Sequence, residues 1–208
     1  MLRVAVLVSG GGTNLQAILD KMEAGYLSNA SIVTVVASKP EAYALERAKK
    51  HNIPTKVIPR KDFSDNQTFS QAILEYLQAQ QVDLVVLAGF MYILSGDFIR
   101  AFENRMLNVH PALIPSFCGP GFYGLIPHEK ALEYGVKVVG ATVHFVTEEC
   151  DGGPIILQRA VAVEEGDTPE VLQKRVMEQA EWEILPEAIR LISEGKIHVD
   201  GRIVHIDQ

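Results

Sequence analysis

The strongest constraint in this sequence is a short run, Arg3-Val4-Ala5-Val6-Leu7-Val8, that is apolar from Val4 onward and stops at Gly10-Gly11-Gly12. A strand with one wet face alternates apolar and polar residues, whereas a continuous run suits a central parallel strand covered on both faces. After the glycines, Leu15, Ile18, Leu19 and Met22 recur at helical spacing, with Gly25 near the end. Ile32-Val33-Thr34-Val35-Val36 reads as a second strand, and residues 42–51 as a helix. Thr55-Lys56-Val57-Ile58 is a third strand halted by Pro59. Residues 63–80 return to helical spacing through Phe69, Ile73, Leu74 and Leu77. Asp83-Leu84-Val85-Val86-Leu87-Ala88 is a fourth strand stopped by Gly89. This alternation predicts an α/β fold with a doubly wound, mostly parallel sheet.

The grammar changes after Met106-Leu107-Asn108-Val109-His110-Pro111. Residues 137–146 and 155–163 are strand-like runs joined by a loop of hairpin length, which predicts an antiparallel extension in the C-terminal half. Residues 168–193 read as a long helix, bent or divided near Pro186. Residues 196–206 read as a hairpin turning at Asp200-Gly201. Neither a repeat nor a linker interrupts the chain, so residues 1–208 are expected to form one domain.

Hydrophobic residues make up 48% of the 208, which excludes a disordered chain. No apolar run approaches the ~20 residues that span a bilayer, and the N-terminus lacks a signal-peptide pattern, so a cytoplasmic protein with no membrane partner is expected. The formal charge of −7, without a basic cluster, points away from nucleic acid and towards small-molecule substrates. Cys118 and Cys150 lack metal-ligand spacing, and free thiols are expected.

Chemistry concentrates between residues 106 and 158. In an extended segment Asn108 and His110 fall on one face, and Pro111 ends it. A polar, glycine-rich loop, Thr147-Glu148-Glu149-Cys150-Asp151-Gly152-Gly153-Pro154, carries Asp151 beyond the strand run that contains His144. An amide, an imidazole and a carboxylate form an acyl-transfer set: the amide donates to an oxyanion, the imidazole moves a proton, the carboxylate orients it. Taken singly, Asn108 and His110 read more easily as structural groups. Together with Asp151 they are harder to dismiss, because buried polar groups cost free energy unless mutually satisfied. No ligand spacing supports a metal site at His110, His144 and Asp151. The glycine loop lacks both the P-loop and the dinucleotide fingerprint, and remains a backbone-rich turn into a helix N-terminus, suited to one phosphate or to a plain tight turn.

Asn108-Val109-His110-Pro111, His144-Phe145-Val146 and Asp151-Gly152-Gly153-Pro154-Ile155-Ile156, with Ser9-Gly10-Gly11-Gly12-Thr13-Asn14-Leu15-Gln16 in front, resemble the folate-dependent formyltransferase family almost end to end. The resemblance implies transfer of the formyl group of 10-formyltetrahydrofolate to the primary amine of glycinamide ribonucleotide in purine synthesis, without a metal. It assigns catalysis to Asn108, His110 and Asp151, with Asp151 raising the pKa of a protonated His110. It assigns Gly12, Thr13, Asn14, Gln179 and Glu181 to the nucleotide. Asn66, Met91, Tyr92, Ile93, Leu94, Thr147, Asn108 and Asp151 fall to the folate. The N-terminal half is then mainly nucleotide-binding and the C-terminal half mainly catalytic and folate-binding, in a monomer or homodimer.

The sequence departs from the family at the folate tail. The family commonly meets the tail carboxylates with arginines at the places of Tyr92 and Asn66, and both are neutral here. Arg60 and Lys61 are the nearest basic residues in sequence. A hydrolase of the same cosubstrate, with water as nucleophile, and a catalytically silent binding module are the competing readings. Residues 115–124, rich in aromatics and glycine, read as a lid or a plain connector.

Overall fold

A computed structural model describes residues 1–207. The chain is α/β and forms two compact units, residues 1–107 and 108–208.

In the first unit the strands are β1 (Leu2–Val8), β2 (Ala30–Ala37), β3 (Thr55–Val57) and β4 (Leu84–Leu87). They lie in the order β3-β2-β1-β4, all parallel. The helices are α1 (Thr13–Glu23), α2 (Ala44–Lys50), α3 (Asn66–Ala79) and α4 (Gly96–Ala101). Val4 to Val8 are wholly buried, as a doubly covered strand requires, and Leu15, Ile18, Phe69, Ile73 and Leu77 close over the sheet. The chain builds outward from β1 to β3 and then crosses to β4 on the other side of β1. That reversal makes a switch point at the C-terminal ends of β1 and β4, where open α/β sheets take their ligands.

β5 (Met106–His110) begins at the end of the first unit and delivers Asn108 and His110 to the start of the second. The second unit continues with α5 (Ile126–Tyr134), β6 (Val138–Phe145) and β7 (Ile155–Ala162), then α6 (Pro169–Val176) and α7 (Trp182–Ser193), and last β8 (Ile197–Asp200) and β9 (Ile203–Ile206). β6 and β7 pair antiparallel, β9 lies parallel beside β7, and β8 and β9 form the terminal hairpin. This is the antiparallel extension of an otherwise mostly parallel α/β fold.

Three local features differ from the sequence expectation. The long helix is interrupted by a π turn, Met177–Glu181, rather than at Pro186, which sits inside α7. Pro186 lacks an N–H and crowds the carbonyl four residues back, at Trp182, where the π turn ends. The hairpin turns at Gly201-Arg202, because Asp200 still pairs with Ile203 and Gly201 takes the left-handed φ of +57°. Finally, α4 and α5 went unread: Ser95 caps α4 by accepting from Phe98 N–H, and Gly135, left-handed, ends α5. Among the described residues no helix is long and apolar enough to cross a membrane.

Candidate active site

In the first unit the glycine loop sits at the switch point. Gly12 has φ +72° and stands as the N-cap of α1, with no side chain capping the first-turn N–H groups. A Cβ on Gly12 would lie 2.6 Å from Ala44 Cβ, so packing against the start of α2 demands glycine whether or not a ligand binds. Arg47 on α2 donates from Nε to Gly11 O at 2.8 Å. Ser9 ties this loop to the end of β4: its N–H donates to Gly89 O at 3.1 Å, and its Oγ accepts from Met91 N–H at 3.0 Å. The loop carrying Gly12, Thr13 and Asn14 and the segment 91–94 therefore meet at the switch point. Met91 and Ile93 expose 51% and 73% of their surface, Tyr92 is half-buried, and Leu94 is core. Asn66 opens α3, whose Phe69 meets Tyr92 edge-on at 5.6 Å.

In the second unit, β5 and the loop after β6 bring Asn108, His110 and Asp151 together. Asp151 Oδ1 lies 3.5 Å from Asn108 Nδ2, and Oδ2 lies 3.6 Å from His110 Nδ1. These are long for hydrogen bonds, as catalytic contacts often are before substrate arrives. The formed bond to the carboxylate comes from Gly119 N–H, at 2.9 Å to Oδ2. Asp151 itself is left-handed, with φ +53°. Gly153 follows from a close approach: a Cβ there would run into the carbonyl of Phe145.

His144, which the sequence reading leaves without a catalytic role, completes the cluster. Its Nδ1 faces Phe145 O at 2.9 Å, and a carbonyl only accepts, so Nδ1 carries the proton. Its Nε2 lies 3.3 Å from Asn108 Nδ2 and 3.6 Å from Asp151 Oδ1. In this tautomer His144 accepts from the Asn108 amide through Nε2 and fixes which way that amide points. The signal was present: Thr142 and His144 are the polar residues of an otherwise apolar strand, two apart and so on one face. Thr142 Oγ donates to Ala112 O at 2.7 Å and accepts from Ile114 N–H at 3.2 Å, which anchors the chain just after His110-Pro111.

The same logic sets His110. Its Nε2 donates to Phe117 O at 2.9 Å, which leaves Nδ1 of the neutral ring bare before Asp151. Burial pushes the His110 pKa down, and His144 adds to that. Asp151 and the Phe117 carbonyl pull it up without reversing the direction. Asp151 acts in the expected sense, but burial outweighs it, so the folded protein favours the neutral form of His110. For Asp151, burial alone would raise the carboxyl. The neighbouring imidazoles of His144 and His110 and the Gly119 N–H bring it below its ordinary value. Loop 115–125 therefore touches both groups, through the carbonyl of Phe117 and the N–H of Gly119. Cys118, between them, and Cys150 are free thiols, held protonated by burial and by the Asp151 charge.

The remaining candidates lie further along the second unit. Thr147 follows β6 and donates from Oγ to Glu149 O at 3.3 Å. Gln179 and Glu181 both ride on the π turn, which packs against β6 and β7; Gln179 is exposed and Glu181 buried. Among the described residues no group of His, Cys, Asp and Glu has the geometry of a metal site.

A family model described as "Formyl transferase" matches residues 2–189. This chain belongs to the formyl transferase family. Among solved structures, the chain is similar to glycinamide ribonucleotide transformylase 1 from Symbiobacterium toebii, with a TM-score of 0.94 and 46% identity over 100% of this chain and 95% of that one. Phosphoribosylglycinamide formyltransferase from Haemophilus influenzae is 42% identical over 207 residues, covering 94% of that protein. The trifunctional purine biosynthetic protein adenosine-3 of Bos taurus is 46% identical over 208 residues, and the chain spans 20% of its length.

Proposed function

We propose that this protein is a phosphoribosylglycinamide formyltransferase, moving the formyl group of 10-formyltetrahydrofolate to the primary amine of glycinamide ribonucleotide. The observation that carries the reading is the convergence of Asn108, His110 and Asp151, in a family member so similar to an enzyme of that name. The amine attacks the formyl carbon, a C–N bond forms and the carbonyl oxygen becomes an oxyanion. Asn108 Nδ2–H, aimed by His144, donates to that oxygen. The bare Nδ1 of His110 takes the proton shed by the amine nitrogen, and Asp151 stabilises the resulting imidazolium. Collapse breaks the bond to the folate nitrogen, which receives the proton. No covalent enzyme intermediate is needed, because both reactants are held in place.

In this reading the uncapped start of α1, at Gly12, Thr13 and Asn14, takes the nucleotide phosphate. Gln179 and Glu181 serve its ribose and amine. Residues 91–94, with Asn66 and Thr147, serve the folate. The protein acts in the cytoplasm on small molecules, as a monomer or homodimer, and needs no metal. The test is to follow loss of the formyl group from 10-formyltetrahydrofolate with and without glycinamide ribonucleotide. Loss that depends on the nucleotide supports transfer; loss at the same rate without it makes the protein a hydrolase.

A further inference from the structure

The chain that leaves His110 at the end of β5 returns to it seven residues later, when the carbonyl of Phe117 accepts from His110 Nε2 at 2.9 Å. The path of residues 111–116 therefore decides where that carbonyl stands. Ser116 N–H donates to Leu113 O at 2.9 Å and turns the chain back, and the base of the turn is held from the sheet. Thr142, wholly buried on β6, donates from Oγ to Ala112 O at 2.7 Å and accepts from Ile114 N–H at 3.2 Å. Gln158 on β7 pairs directly with Thr142, which puts both side chains on one face. Its Nε2 lies 3.0 Å from Ile114 O and 3.0 Å from Thr142 Oγ. A carbonyl only accepts, so this atom is the amide nitrogen, and both its N–H bonds are used. The Thr142 hydroxyl then has its one proton on Ala112 and both lone pairs occupied. Gln158 is an exposed residue, and a glutamine there needs no fixed partner for solubility; this one ends on a buried hydroxyl and a backbone carbonyl. Two residues before Thr142, a Cβ on Gly140 would lie 2.8 Å from Leu113 Cδ2, so the strand also leaves room for the turn.

We infer that Gln158 is a positioning residue for the base: through Thr142 and Ile114 it holds the turn so that the Phe117 carbonyl keeps the His110 proton on Nε2. The inference rests on the proposed function, in which the bare Nδ1 takes the proton of the attacking amine. Asp151 Oδ2, 3.6 Å from Nδ1, favours the opposite tautomer, and the Phe117 carbonyl opposes it. Once the carbonyl is displaced, the neutral ring turns an N–H towards Asp151 and presents a donor where a base is required. The loss falls on kcat, because Gln158 holds neither ligand.

NMR of the whole protein labelled with ¹⁵N at histidine reads the His110 tautomer without any substrate, at a pH above its titration, and steady-state kinetics accompany it. Gln158→Met keeps the length and removes both donors, and Gln158→Glu keeps the shape but only accepts. Arg159→Gln, at the exposed neighbouring position on β7, is the control, and urea midpoints report folding. In both Gln158 variants the Nδ1 resonance should move from that of a bare nitrogen towards that of a protonated one, with Nε2 moving the other way. Formyl transfer should lose about tenfold in kcat with KM little changed, short of the ~10²-fold that a misplacement near 1 Å can cost. Thr142→Val should reproduce the change, Thr142→Ser should restore the parent tautomer, and Arg159→Gln should match the parent. An unchanged His110 tautomer in the folded Gln158 variants overturns the assignment, whatever happens to kcat, and leaves formyl transfer intact. A parent protein that transfers no formyl group overturns the proposed function and this role with it.

Discussion

Asn108 and His110 differ in what holds them before any substrate arrives: the amide is aimed by His144 Nε2, the imidazole is anchored through Nε2 and open at Nδ1. Asn108→Ala removes the proposed oxyanion donor, and turnover should fall by ~10²–10³, equivalent to about 2.7–4 kcal/mol, with nucleotide affinity and folding little changed. Steady-state kinetics beside calorimetry checks this, and near-normal turnover removes Asn108 from the chemistry. Asp151 is the group that pulls the His110 pKa up against burial. In Asp151→Asn, an NMR titration should therefore show His110 holding its proton only to a lower pH than in the parent, with activity lost. An unchanged titration would leave Asp151 without an electrostatic role. The pair Asn108 and His110 was legible in the sequence because a two-residue spacing in a strand fixes a shared face. His144 was not, since an imidazole inside an apolar strand reads as core until its tautomer and neighbours are known. The protonation state of His110 was not legible either, because it depends on burial set by distant parts of the chain.

Two elements carry stability predictions of their own. At the junction of α1 and α2, Gly12→Ala places a side chain at φ +72° and against Ala44, so it should destabilise the protein by about 2 kcal/mol or more. A Cβ on Gly11 meets open space. Gly11→Ala should leave the urea midpoint nearly unchanged and weaken nucleotide binding, which isolates the phosphate role from the packing role; unchanged binding would argue against a phosphate at this loop. On α5, His128 is 1% exposed, its Nε2 has no hydrogen-bond partner, and burial followed by the charge of His110 lowers its pKa from 6.5 to about 4. The folded state favours the neutral ring, so its stabilising contribution is complete above pH 6.5 and is lost as pH falls towards 4. The upper bound on that loss is about 3 kcal/mol. Denaturation across this range should give a flatter acid limb for His128→Leu than for the parent, and parallel curves would contradict the assignment. The strands and their order of appearance were legible from apolar runs and breakers. α4 and α5 were not, because their cues, Ser95 and Gly135, are local caps flanking short helices inside segments that otherwise read as loops. The π turn was hidden for a related reason: helical spacing persists through it, and Pro186, the visible breaker, lies inside α7.

For the whole molecule, the doubly wound order of the first unit sets a phosphate-sized helix start beside the residues 91–94, and the second unit assembles an amide, an imidazole and a carboxylate on β5 and one loop. The architecture was readable because a covered parallel strand has a distinctive composition. The departures at Asn66 and Tyr92 were readable as well, since each is a single residue set against the resemblance. The central claim is direct attack by the nucleotide amine on the formyl carbon, with no formyl-enzyme and no water in between. A single turnover with 10-formyltetrahydrofolate carrying ¹³C in the formyl group tests it, with the label traced to protein, formate and nucleotide. The account predicts that the label passes only to the nucleotide amine, in step with loss from the folate, and that the protein incubated without nucleotide stays unlabelled. Label on the protein before nucleotide is added, or label accumulating as formate, would contradict it.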